Sequence, residues 1–181
     1  KASGNICSPN WQQRWRGYRS RYPSTTLMLR HTALPPVERG ASAQAIGCTK
    51  GGRNTKVHAI SDEHRLPLVF YLTPGQTAGI KGAVMLSACL PRAKYLLADK
   101  AYDADHWRDH LKARRIQPVI PNKSNRTRLH RFDKARYKGR NVIERMFGRL
   151  KDFRRIATRY DKNANNFLAA LCLAALICYW I

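Results

Sequence analysis

Acidic residues are what this chain has least of. Its 181 residues carry 34 Lys+Arg against 11 Asp+Glu, a formal net charge of +23, and residues 1–37 contain no Asp or Glu at all. Such a field favours polyanions, with nucleic acid first because phosphate contacts dominate affinity there. On composition alone a ribosomal-type or membrane-surface basic protein stays open. Cysteine is also scarce: the five (Cys7, Cys48, Cys89, Cys172, Cys178) are odd in number and form no C-x-x-C pair. That speaks against a disulfide framework and a zinc site, and for a reducing cytoplasm. No signal peptide is expected, and no apolar run reaches membrane-spanning length. The tail FLAALCLAALICYWI from Phe167 is almost wholly apolar but falls short of the about 20 residues a span needs, so a core-buried terminal helix is expected. No repeat or low-complexity segment occurs. The first residue is Lys1, not Met, which suggests a fragment or an imperfectly read frame.

What is present reads as one α/β domain. Two strands are expected between about 54 and 72, TKVHAIS and LPLVFYL, turned by DEHRLP. A helix over 79–90 follows and ends before Pro91. AKYLLAD is a short buried strand that closes on an acid, Asp99. DADHWRDHLKARR then reads as a helix, acidic at its start and basic at its end, in accord with the helix dipole. QPVI is another short strand. The basic stretch NKSNRTRLHRFDKARYKGR is a loop suited to lie beside DNA. A helix reaching about Arg155 and a last one from about Asn163 complete the chain.

Some constellations carry little. His106 and His110 stand four apart but have no third ligand at a suitable spacing. CTKGGRNTK is glycine-rich and cationic without the P-loop spacing, so it is either a phosphate grip or a hairpin lead-in. WQQRWRGYRSRY interleaves aromatics with Arg like a single-strand-binding surface.

The run YKGRNVIERMFGRLK is more specific. Tyr137, Arg140, Glu144 and Lys151 are spaced by three, four and seven residues. On a helix Arg140, Glu144 and Lys151 fall close to one face, with Tyr137 a turn before Arg140. One carboxylate is thus surrounded by an aromatic hydroxyl and two cations; the plain alternative is a solvated basic face. Asp99, at the C-terminal end of a buried strand, stands where α/β sheets place metal or catalytic ligands, or serves as a turn cap.

These residues together resemble the DDE transposases of bacterial insertion sequences. All four positions of the Y-x2-R-x3-E-x6-K signature match, and ADKAYD resembles the family's second catalytic motif, with Ala101 where Gly is commoner. AQAIGCTKGGRNTKVHAI, LTPGQ, PVIPNKSNR and RRIATRYDK resemble the family as well, so the likeness runs from Ser42 to Ile181. It implies a ribonuclease-H-like mixed sheet flanked by helices. It also implies a two-metal mechanism in which Mg2+ ions held by carboxylates activate a nucleophile and stabilise the leaving oxygen during DNA strand cleavage and transfer. Asp99 and Glu144 would be catalytic and metal-holding. Tyr137, Arg140 and Lys151, with Lys100, Lys123 and Arg126, would contact DNA. The partners implied are transposon ends and target DNA in the cytoplasm, with no membrane and with room for a homodimer on the DNA.

A DDE site needs three acids, and the first belongs upstream of the KVHAI strand. Glu38, in a Pro-flanked stretch, does not resemble the family. Reading the codons of residues 23–40 one nucleotide earlier permits I-D-N-T-H-V-K-A-H-R-S-A-S-G-G-K-G, a family-like string whose Asp spans the Ser24 and Thr25 codons. Residues 1–39 are therefore read as out of frame and poorly packed, with the first strand missing or garbled, and 40–181 as the catalytic core. On that reading this copy is truncated or frameshifted and inactive. The alternatives are a non-catalytic DNA-binding remnant and a basic RNA-binding protein.

Overall fold

The computed structural model describes residues 26–34 and 44–181. The aromatic–Arg run at 11–22, Cys7 and Glu38 lie outside them. The sheet is built from β1 (Thr26–Leu34), β2 (Gly47–Thr49), β3 (Gly52–Asp62), β4 (Pro67–Pro74), β5 (Tyr95–Ala98) and β6 (Gln117–Val119). β3 pairs antiparallel with both β1 and β4, and its first three residues pair with β2. β1 runs parallel to β5, and β5 parallel to β6. The sheet is mixed, as expected.

Side-chain alternation along the strands gives each face its own core. Met28, Val57, Ala59, Leu97 and Val119 face one way. They meet α4 (Asn141–Lys151) through Ile143, Met146, Phe147 and Leu150, and α6 (Ala164–Tyr179) through Phe167, Leu168 and Leu171. Leu27, Leu29, Ile60, Leu96 and Ala98 face the other way. There they meet α1 (Gly79–Leu86) and α2 (Asp105–Ala113) through Ala83, Leu86, Trp107 and Leu111. A sheet covered on both faces by helices is the α/β arrangement expected.

The expected strands, the two helices after them and the signature helix all form within a few residues of their expected limits. The DEHRLP turn is held by Asp62, whose Oδ1 accepts from the His64 and Leu66 amides at 2.9 Å. The basic loop ends sooner than expected: α3 (Lys134–Tyr137) and a 3-10 turn over Lys138–Arg140 lead directly into α4. Asp133 caps α3 by accepting from the Arg136 amide at 2.9 Å. After α4 the chain bends and makes one more short helix, α5 (Arg154–Ala157), rather than continuing to Arg155 as one helix.

Two expectations need correcting. The tail was expected to be buried, and α6 does bury Phe167, Leu168, Leu171, Ala174 and Ala175. Leu173, Leu176, Ile177, Trp180 and Ile181 nevertheless stay exposed, because a helix apolar all round can press only one side against the sheet. Among the described residues no helix is long and apolar enough to cross a membrane.

The second correction concerns the first strand, which is present. β1 lies in the middle of the sheet, with Leu27, Met28 and Leu29 buried, although it falls inside the stretch expected to be poorly packed. A central strand covered on both faces asks chiefly for a continuous apolar run and backbone pairing, and Leu27–Met28–Leu29 supplies the run. Among the described residues Cys48, Cys172 and Cys178 are free thiols.

Candidate active site

β5 delivers Asp99 to the edge of the sheet, where its carboxylate caps the turn Lys100–Tyr102 by accepting from the Ala101 amide at 3.0 Å. The turn-cap alternative is therefore satisfied, while the side chain stays partly exposed. β1 lies alongside with Leu29 opposite Ala98, so the next pair in register is Arg30 beside Asp99. By alternation both fall on the face shared by Met28 and Leu97, the face that α4 covers.

Glu144 stands in the first turn of α4 and turns back to that place. Its Oε1 accepts from Arg30 Nη1 and, at 2.5 Å, from Arg140 Nη2 one turn earlier. The three side chains are 30% (Arg30), 35% (Glu144) and 22% (Arg140) exposed, so the cluster opens to solvent. The Arg140 guanidinium also lies 5.3 Å from the Tyr137 ring centroid, within cation–π reach. Burial raises the Tyr137 pKa, Arg140 and Arg30 pull it down, and Asp99 and Glu144 push it up. Arg30, next in register to Asp99 and bonded to Glu144, brings the two sequence-distant motifs close together.

The remaining expected residues divide. Lys100 is exposed directly after Asp99. Lys151 is exposed at the far end of α4, about 10 Å along the axis from Glu144 at 1.5 Å per residue, so it extends the basic face without joining the cluster. Lys123 is half-buried, and its amide donates to Asp103 Oδ2 at 2.8 Å. Arg126 is committed to the fold. Its Nε donates to Asp103 at 2.8 Å, Nη2 to Asp105 at 2.7 Å, and Nη1 to the Arg128 carbonyl at 3.2 Å. This arginine pins the basic loop onto the start of α2, a task that its place in a polar run did not reveal.

On the opposite face, behind Asp99, lies a polar chain that the sequence reading missed. His31 Nδ1 is 2.9 Å from Tyr102 Oη, and His58 Nε2 is 2.8 Å from Thr73 Oγ1, with the two imidazole centroids 5.4 Å apart. Burial lowers the pKa of both histidines, His58 to about 3, with His31 and Lys56 adding to the effect there. Glycines let α1 approach this pair: a Cβ on Gly82 would come within 2.3 Å of the His58 ring. The only sequence signal was the KVHAI motif itself.

The two-metal group that the family resemblance implies does not fit the described residues. A third carboxylate is needed beside Asp99 and Glu144, and the β1 position there is Arg30. No three His, Cys, Asp or Glu side chains gather as ligands among the described residues. Among the described residues the His106–His110 pair on α2 gains no third ligand either.

Known proteins place the chain clearly. The transposase DDE domain family matches residues 24–181, a span that includes β1. A putative transposase for insertion sequence element IS6501 of Brucella ovis is 38% identical over 124 residues, covering 66% of this chain and 93% of that protein. A putative transposase for IS402 of Burkholderia cepacia is 28% identical over 137 residues, covering 70% of this chain but only 63% of that one. Among solved structures, piggyBac transposase in a synaptic complex with hairpin DNA aligns with a TM-score of 0.59 at 8% identity over 93% of this chain and 51% of its own. A simian T-cell lymphotropic virus intasome gives 0.53 at 14% identity over 84% and 47%. At such identities these two likenesses speak for the fold alone, a ribonuclease-H-like sheet with its helices. On the family match and the Brucella relative, the chain belongs to the DDE transposases of bacterial insertion sequences.

Proposed function

We propose that this chain is a transposase core that engages the DNA at insertion-sequence ends but has lost metal-dependent strand cleavage and transfer. The observation that carries this reading is Arg30, a cation in the β1 position beside Asp99 and bonded to Glu144. DNA engagement is supported by the net charge of +23, by Tyr137, Arg140 and Lys100 near the carboxylates, and by Lys151, which extends the basic face along α4. The relatives are transposases, and the piggyBac structure is a complex with hairpin DNA, which accords with DNA as partner. Target DNA would be bound by the same face, in the cytoplasm, and a homodimer on DNA would present two such faces. A frame error over residues 1–39 would be the genetic counterpart of this reading, and sequencing the gene for the family string in the shifted frame checks it.

Labelled DNA carrying the element's terminal repeats tests the biochemical claim. Binding by fluorescence anisotropy should be tight at low salt and fall steeply as salt rises. No nicking should appear with Mg2+ or Mn2+. Divalent-dependent nicking that disappears in Glu144→Gln would show instead that the chain is an active strand-transferase. Against the RNA-binding alternative stands Arg30, next in register to Asp99 and bonded to Glu144, and a marked preference for RNA over end DNA would restore that alternative.

A further inference from the structure

The cluster at Glu144 holds more cationic hydrogen-bonding capacity than one carboxylate uses. Arg30 and Arg140 each present five N–H donors in a fixed fork, cannot lose their charge in water, and both spend a donor on the same Glu144 oxygen. Asp99 contributes a second negative charge beside Arg30, and the exposed Lys100 a third cation. Three cations thus face two carboxylates, an excess of one positive charge, with guanidinium donors left over at a surface that is about a third open. A divalent ion entering this place would meet a fixed positive charge where a two-metal site needs a carboxylate. A phosphodiester oxygen would meet unused N–H groups instead.

We infer that Arg30 is a built-in cation at the Asp99–Glu144 pair, so that the site holds a DNA phosphodiester without a divalent metal and turns divalent cations away. The idea deepens the DNA-engaging role proposed above and rests on it for the identity of the anion. The exclusion of metal stands on the side-chain cluster alone.

The test separates the two. Mn2+ binding to the full chain, without DNA, is followed by electron paramagnetic resonance. The chain should show no saturable Mn2+ site, whereas Arg30→Asp, which supplies a third carboxylate in place of the cation, should gain one. End-DNA binding by the unaltered chain should persist in EDTA, with no gain on adding Mg2+. Arg30→Met, which keeps an apolar stem in β1, guards against misfolding of the Asp variant. It should weaken DNA binding at every sequence tested and lower the slope of log affinity against log salt by about one. A stoichiometric Mn2+ site in the unaltered chain that is lost in Glu144→Gln would overturn the inference. So would an Arg30→Met variant with unchanged DNA affinity and salt slope. If the unaltered chain binds no DNA at all, the DNA-engaging role fails while the Mn2+ result still decides whether Arg30 excludes metal.

Discussion

Two carboxylates in this molecule are each gripped by two arginines, with opposite consequences. Asp103 receives Arg108 at 2.8 Å and Arg126 at 2.8 Å, and its side chain is 0% exposed. Glu144 receives Arg30 and Arg140, and its side chain is 35% exposed. The charge arithmetic is the same; the dielectric is not. In the first cluster water is excluded and every group is used. Arg108 also reaches the Ile120 carbonyl at 2.9 Å, and the Lys123 amide completes the Asp103 shell. In the second, water competes for each group, so little stability is stored and the donors remain available to a ligand. Burial thus decides which arginine pair builds the fold and which can serve a site.

The most severe way to break the comparison is Asp103→Ala. It strands Arg108, which is 2% exposed, without its partner and frees the loop that Arg126 pins. Losing one partner of a buried pair costs about 3–5 kcal/mol, which urea unfolding should record. A loss below about 1 kcal/mol would mean that the buried cluster behaves like a surface pair.

Acid separates the buried Asp103 cluster from the buried histidine pair next. The His58 pKa falls from 6.5 to about 3 because of its burial, then His31 and Lys56. The unfolded chain therefore takes up the proton first. Stability from this group is full above about pH 6.5 and drains away as the pH falls toward 3. Burial pushes the Asp103 carboxyl up, but the Lys123 amide, Arg126 and Arg108 together hold it below 3.8. Its contribution is present above 3.8 and is lost only as the pH falls through its lower folded value. Unfolding followed from pH 7 to 4 should therefore show a loss on the order of a few kcal/mol that depends on His58, with Asp103 entering only below that range. A His58→Asn variant should flatten the pH 7–4 slope, and an unchanged slope would remove His58 as its source.

How much of this was legible beforehand follows the same physical division. The KVHAI and YLLAD strands, the signature helix and the Asp99 and Glu144 positions were readable because each is fixed by local periodicity or by spacing within one short motif. Arg30 was unreadable as a site residue. Its role comes from the β1–β5 register and from a contact 114 residues away, neither of which has a local signal. The Asp103 network was hidden for a related reason: Arg126 sits in a run so basic that one arginine looks like the next. Only the fold distinguishes the arginine that meets buried acids from those that meet solvent. An acid encoded at Ser24–Thr25 lies well upstream of Arg30, so a frame-restored chain would have to shift the β1–β5 register to bring it to Asp99.

Glu144→Gln sharpens the contrast from the open side. Because the pair is partly exposed, unfolding free energy should move by less than about 1 kcal/mol. DNA affinity should rise several-fold at low salt, since both guanidiniums lose their internal counter-charge while the anion gains them. Weaker DNA binding in this variant would show that Glu144 positions the arginines rather than competing with phosphate for them.

The smallest effect is expected at Lys151, which shares the helix with Glu144 but not its cluster. Lys151→Ala removes one exposed charge from the last turn of α4, where a cation also complements the helix dipole, so the stability change should stay within about 0.5 kcal/mol. If this residue contacts a phosphate as the signature implies, DNA binding should weaken equally for end and unrelated sequences, with the salt slope reduced by about one. Loss of discrimination between end and unrelated DNA would instead mark Lys151 as a base-reading residue. An unchanged slope would confine the phosphate-binding surface to the first turn of α4, around Arg140 and Glu144.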